Sequence, residues 1–175
     1  VAGLLDVLLP AWHHGLPVVA SRARKFEPEW AYALLARHRI RNALIPPTAL
    51  KMMRDVPNPR DKYGIELRTV SSGGEPLGAE VLEWAKESLG VTINEVYGQT
   101  EANLVIGSCH EIMEIKPGSM GRPIPGHEVV LIQEDGSSTP TGEIGEIGEI
   151  GLAVVHAEAK KPEELVFRPI AGGAP

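Results

Sequence analysis

The sequence predicts an α/β fold: a parallel βαβ sheet flanked by helices, followed by a smaller β-rich subdomain. Three observations carry this. Short apolar runs at residues 43–45, 67–70 and 91–96 alternate with segments of helical length, the pattern of βαβ units. The clearest helical segment, Pro76 to Leu89, lies between two of those runs; Val81, Leu82, Ala85 and Leu89 make its apolar stripe, and Gly90 follows as a natural stop. After residue 101 the pattern changes to two apolar runs, Glu128 to Ile132 and Glu143 to Ala153, around the turn Glu134-Asp135-Gly136-Ser137. The chain therefore divides into an α/β part over 1–121, a β-rich part over 122–156 and a divergent tail over 157–175.

Taken in order, Val1 to Leu9 is apolar and reads as a helix that Pro10 ends or kinks. Leu16 to Ala20 is a short strand. Pro28 opens the next helix at its first position, where the missing N–H does no harm, and Trp30, Ala31, Leu34, Leu35 and His38 follow at helical spacing. Ala43 to Ile45 is a strand stopped by Pro46-Pro47, with Thr48 as N-cap of a short helix, Ala49 to Arg54. Val56 to Gly64, rich in Pro, Asn, Asp and Arg, reads as a loop. Leu67 to Val70 and Val91 to Val96 are the next strands; the second is a buried parallel strand. Residues 142–150 repeat Gly-Glu-Ile three times, a period that a strand cannot keep on one face, so one triplet reads as extra.

Composition narrows the function. Lys and Arg number 17 against 23 Asp and Glu, a net charge of −6, which argues against nucleic acid as a partner. No run of about 18 apolar residues is present, so no membrane span is expected. A single cysteine, Cys109, excludes an internal disulfide framework and fits the cytoplasm. The chain starts inside an apolar segment without Met and is expected to be a piece of a longer protein. Elements cut from their neighbours would leave apolar patches, so self-association is expected.

The stretch with the most chemistry is Asn94-Glu95-Val96-Tyr97-Gly98-Gln99-Thr100-Glu101. It falls where a parallel strand should end, and ligands of open α/β sheets bind beyond those ends. Tyrosine offers a flat face to a base, glycine permits close backbone approach, threonine can bond a phosphate oxygen, and glutamate suits Mg²⁺. From residue types alone, a polar loop after a core strand is an equal reading. Three segments in order resemble the adenylate-forming enzymes: this stretch, with its Tyr-Gly-x-Thr-Glu; Ser71-Ser72-Gly73-Gly74-Glu75-Pro76-Leu77 upstream; and Lys116-Pro117-Gly118-Ser119-Met120-Gly121-Arg122-Pro123 downstream. The run Leu5 to Ala20, with Trp12-His13-His14-Gly15, is most similar to the acyl-CoA synthetase branch acting on medium-chain, branched or aromatic acids.

The resemblance implies a partial domain of an adenylate-forming enzyme that uses ATP, Mg²⁺ and CoA and releases AMP. A small carboxylic acid attacks the α-phosphate, pyrophosphate leaves, and the acyl group passes to the CoA thiol. It assigns nucleotide binding to Gly73, Gly74, Glu75, Pro76, Glu95, Tyr97, Gly98, Gln99 and Thr100, with Tyr97 stacked on adenine. Thr100 and Glu101 take the catalytic roles, Glu101 as the Mg²⁺ ligand, and His14, Gly98, Met120 and Gly121 line the acyl pocket. Each residue has a plainer alternative: a core aromatic, a solvated acid, a strand-to-helix turn, a methionine filling core space. The sequence lacks three family parts: the Ser/Thr/Gly-rich loop ending in Lys-Gly, the Thr-Gly-Asp aspartate, and the domain with the catalytic lysine. The isolated chain is therefore expected to be inactive. A non-catalytic adenine-nucleotide module and a structural or interaction domain are the rival classes.

Overall fold

The computed structural model describes residues 3–100 and 102–150. A π-helical stretch, Gly3–Leu8, runs into α1 (Leu9–His13). Pro10 does not end this helix; it lies in the first turn of α1, where its missing N–H is tolerated. The expected strand at Leu16 to Ala20 does not form. Among the described residues this segment joins neither sheet, and Pro17 has no N–H to offer a ladder.

α2 (Pro28–Arg37) starts at Pro28 as the sequence predicts, but buries Ala31, Tyr32 and Leu35 and leaves Trp30 exposed. Tyr32 can go inside because its hydroxyl donates to the Met53 carbonyl at 3.0 Å and its ring stacks on Tyr63, with centroids 5.4 Å apart. β1 (Asn42–Leu44) leads to α3 (Pro47–Met53). Here the predicted cap is displaced. Pro46 takes the N-cap position and Pro47 the first helical one, so Thr48 falls inside the helix. The predicted loop at 56–64 contains a one-turn helix, α4 (Pro59–Tyr63), bracketed by left-handed Asn58 and Gly64.

β2 (Thr69–Gly73) is followed by α5 (Ala79–Trp84), which continues as a π-helical turn, Ala85–Leu89, and is closed by Gly90 at φ 70°. The helix thus begins three residues later than predicted, leaving Pro76 in the preceding loop. β3 (Ile93–Gln99), β4 (Asn103–Gly107) and β5 (Arg122–Pro123) complete a five-stranded sheet in the order β1-β2-β3-β4-β5. β1, β2 and β3 are parallel neighbours; β3, β4 and β5 are antiparallel. The sheet is therefore mixed, with its parallel half built from the predicted βαβ units.

The core lies on one face of that parallel half. Val70 and Ile93, partners in the β2–β3 register, are fully buried and pack with Tyr32, Leu50 and Val81 from α2, α3 and α5. Burying such side chains contributes roughly 1.5–3 kcal/mol each. β6 (Glu128–Ile132) and β7 (Glu146–Ile150) form a separate antiparallel pair. Of the three Gly-Glu-Ile triplets, the first isoleucine, Ile144, is wholly exposed ahead of the strand, while Ile147 sits opposite Leu131. The predicted continuation of this strand to Ala153, and the tail over 157–175, lie outside the described residues.

Candidate functional site

The carboxyl ends of β2 and β3 lie side by side, with Ser72 opposite Glu95 and Gly73 opposite Val96. β3 does not stop at Val96. It runs on to Gln99 because β4 pairs with it: Tyr97 is opposite Ile106, Gly98 opposite Leu104 and Gln99 opposite Asn103, with a bulge between Tyr97 and Gly98. Tyr97, Gly98 and Gln99 are therefore strand residues, not a loop. Side chains alternate along a strand, so Glu95 and Tyr97 share the face of core residue Ile93.

Glu95 is only 7% exposed, and its Oε1 is buried without a hydrogen-bond partner. The Leu77 N–H bonds the carboxylate, yet burial outweighs that bond and raises the Glu95 pKa above the ordinary carboxylate value. Ser72, 1% exposed, also has an unpartnered buried oxygen. Leaving a buried polar group unpaired costs about 1–3 kcal/mol, more for a charged one. The backbone of Glu95 is well held: its N–H donates to Ser108 Oγ at 2.7 Å, and its carbonyl accepts from the Ser108 N–H at 2.8 Å.

The raised pKa has a measurable consequence. The folded chain holds the Glu95 proton more tightly than the unfolded chain does. Its contribution to stability is therefore greatest at acid pH and is lost as pH rises from about 4.5 through the raised folded value. Glu95→Gln is expected to raise the melting temperature at neutral pH and to flatten that dependence. Thermal scans between about pH 4 and about pH 8 check it.

The Tyr97 ring is half-buried, and its hydroxyl accepts a hydrogen bond from Gln99 Nε2 at 3.1 Å. One side of Tyr97 borders a cleft of about 750 Å³ whose other walls include Ile132, Ile147, Glu134, Asp135 and Glu146. Thr100 is exposed in the turn after β3, which the Ala102 N–H closes on the Gln99 carbonyl at 3.2 Å. Glu101, the expected Mg²⁺ ligand, lies outside the described residues. Among the described residues, no group of three or more His, Cys, Asp or Glu side chains could hold a metal ion.

The site glycines differ in what they face. A Cβ on Gly73 would strike the Val96 carbonyl, one on Gly98 the Asn103 carbonyl, and one on Gly121 the Gly107 carbonyl. The protein's own backbone fills those spaces. Gly74 is different: it has φ +93° and nothing within 4 Å of its absent Cβ. Its peptide, with the exposed Glu75 and Pro76 beside it, is the open backbone surface of this region. Met120 is half-exposed, next to Gly121 where the chain joins β5. His14 ends α1, exposed and edge-on to His13 at 5.0 Å. Sequence reasoning passed over Ser108, and placed Thr48 as an N-cap rather than as a partner of Glu75. Ser108 carries no signal in one dimension, whereas Thr48 followed Pro47 closely enough to be placed inside its helix.

Known proteins resemble this chain in sequence and fold. A family described as AMP-binding enzyme matches residues 1–154. An uncharacterized acyl–CoA ligase of Bacillus subtilis, YtcI, is 35% identical over 140 residues, covering 77% of this chain and 26% of that protein. The mitochondrial acyl-coenzyme A synthetase ACSM3 of Mus musculus is 36% identical over 135 residues, covering 77% of this chain and 23% of its own length. Among solved structures, an acyl-CoA synthetase of Brucella canis superposes with a TM-score of 0.78 at 29% identity, over 85% of this chain and 28% of that one. The anthranilate CoA ligase AuaEII, solved with anthranoyl-AMP, gives 0.76 at 25% identity, over 84% and 28%. The chain thus spans about a quarter of the length of the relatives it matches.

Proposed function

Because the chain belongs to the AMP-binding enzyme family, we propose that it is the adenine-recognising middle of an ATP-dependent acid–thiol ligase, an acyl-CoA synthetase. That enzyme joins a small carboxylic acid to AMP with loss of pyrophosphate, then passes the acyl group to the CoA thiol with release of AMP. The observation that carries the reading is the Glu95 carboxylate, which keeps one oxygen buried and unpaired two residues from a half-buried tyrosine ring. An acceptor kept without a donor is costly, and the 6-amino group of adenine supplies one.

In this reading the Tyr97 ring stacks on the base, held by Gln99, while the Gly73-Gly74-Glu75-Pro76 backbone forms the opposite wall. Glu95 selects adenine, Thr100 bonds phosphate oxygens and Glu101 holds Mg²⁺. His14, Gly98, Met120 and Gly121 border the acyl group. The proposed division is an α/β part over 1–121, a β-rich part over 122–156 and a tail over 157–175. Without the phosphate-binding loop, the ribose aspartate and the catalytic lysine, the chain alone is inactive, since phosphoryl chemistry depends on positioned charge. Leu4, Leu9, Trp12 and Leu16 are exposed, which favours self-association. None of the described helices is long and apolar enough to cross a membrane, and we place the protein in the cytoplasm on its single cysteine.

The test is a paired titration with AMP and GMP. A carboxylate acceptor matches the 6-amino group of adenine and repels the 6-oxo group of guanine. AMP is expected to bind at least about tenfold more tightly, a difference of about 1.4 kcal/mol. Equal affinity, or turnover of ATP and a carboxylic acid to acyl-CoA at an enzyme-like rate, would contradict this reading of an inactive adenine half-site.

A further inference from the structure

The first turn of α3 reaches across to the loop that follows β2. Thr48 Oγ1 donates to the Glu75 carboxylate, lying 3.0 Å from one oxygen and 3.1 Å from the other. A threonine near a helix start usually spends its hydroxyl on the helix's own free N–H groups. Here Pro46 holds the N-cap position and no side chain caps α3. The hydroxyl is therefore available for a partner 27 residues away in sequence. Glu75, for its part, enters no ion pair among the described residues.

The loop has little else to hold it. At one end Gly73 is fixed by its pairing with Val96. At the other, the Leu77 side chain is buried and its N–H bonds the Glu95 carboxylate. Between them Gly74 sits at φ +93° with open space before it, and Glu75 and Pro76 are exposed. Across that span the Thr48 bond is the only side-chain tie among the described residues. It draws the Glu75 side chain toward α3, while Gly74 and Glu75 stay exposed. Because Thr48 follows directly on Pro46-Pro47 at the end of β1, the tie also joins the carboxyl ends of β1 and β2.

We propose that Thr48 is a positioning residue, whose bond to Glu75 fixes the orientation of the Gly74–Glu75 peptide that walls the nucleotide base. This rests on the adenine reading of the site. A pinned wall needs no ordering when the base arrives, so the bond raises nucleotide affinity without touching the nucleotide.

The experiment uses the whole chain in four forms: wild type, Thr48→Val, Thr48→Ser and Glu75→Gln. Valine keeps the shape and removes the donor; serine keeps the donor. Two quantities are measured, amide hydrogen exchange at Gly74, Glu75 and Leu77, and AMP affinity. Thr48→Val is expected to speed exchange at these amides roughly five- to tenfold, the size of one typical solvent-exposed hydrogen bond, and to weaken AMP by a similar factor. Thr48→Ser restores both, and exchange in α2 stays at the wild-type rate. Should Thr48→Val unfold the chain, the Glu75→Gln form carries the test, with the same loosening expected at smaller size. Wild-type exchange at the three amides in the folded variants overturns the proposal. Faster exchange without AMP binding by any form keeps the tie, but overturns its role at the nucleotide and the adenine reading with it. Faster exchange with AMP affinity unchanged overturns the positioning role alone.

Discussion

Replacing Gly98 with alanine is expected to cost about 3 kcal/mol or more of folding stability, the upper range for an overpacked site. A Cβ at this position meets the carbonyl of Asn103, with the Leu104 Cα at 2.8 Å. These are backbone atoms of β4, and they cannot swing aside as the tip of a side chain can. The neighbouring strand is already committed, since Asn103 holds a left-handed φ of 56° and the register shifts between Tyr97 and Gly98. Asparagine tolerates that conformation better than most residues, but it does not relax freely. An alanine here must push β4 away from β3 or break the bulge. Urea denaturation should show the midpoint falling sharply, on a total stability that is typically only about 5–15 kcal/mol. An unchanged midpoint would mean that the backbone crowding at Gly98 is not what demands glycine.

Tyr97→Ala is expected to weaken AMP binding by about ten- to a hundredfold, since a base stacked on an aromatic ring is worth about 1–3 kcal/mol. The fold should tolerate the change better than it tolerates a core deletion. Tyr97 is only half-buried, and its hydroxyl bonds to Gln99 two residues away rather than to the core. Loss of affinity with a small change in melting temperature is the expected combination. Gln99→Ala should lie between, because it frees the ring without removing it. Calorimetric titration beside a thermal scan checks both.

The parallel half of the fold was legible because short apolar runs lead into its strands between helical segments, although β2 starts later than its run and takes in Ser71, Ser72 and Gly73, and because Pro28 opens α2 and Gly90 closes the helix after α5. Two of the misreadings turn on strand pairing between segments apart in sequence, and the others on short helical turns. Leu16 to Ala20 has the composition of a strand but joins neither sheet among the described residues. β3 looked finished at Val96, yet the run Leu104-Val105-Ile106 supplies an antiparallel partner that carries it to Gln99. Pro59 and Gly64 bracket α4 with the same signals that identify α2, but a single turn leaves no period to detect. The π-helical turns at Gly3–Leu8 and Ala85–Leu89 leave no mark in residue spacing. At the candidate site, the three matching segments singled out Glu95 and Tyr97 as candidates, but not that Glu95 is buried with an unpaired oxygen. That depends on the packing of residues far apart in sequence, such as Leu77 and Ser108, whose backbone and side chain reach Glu95.

The central claim is that β2, β3 and the Gly74 loop form an adenine site within this chain. An amide NMR titration of the isotope-labelled protein with AMP tests it most directly. Saturable shifts at Gly74, Glu75, Leu77 and Tyr97, weakened together by Tyr97→Ala, are the predicted result. No saturable shift at millimolar AMP, or shifts confined to β6 and β7, would contradict it.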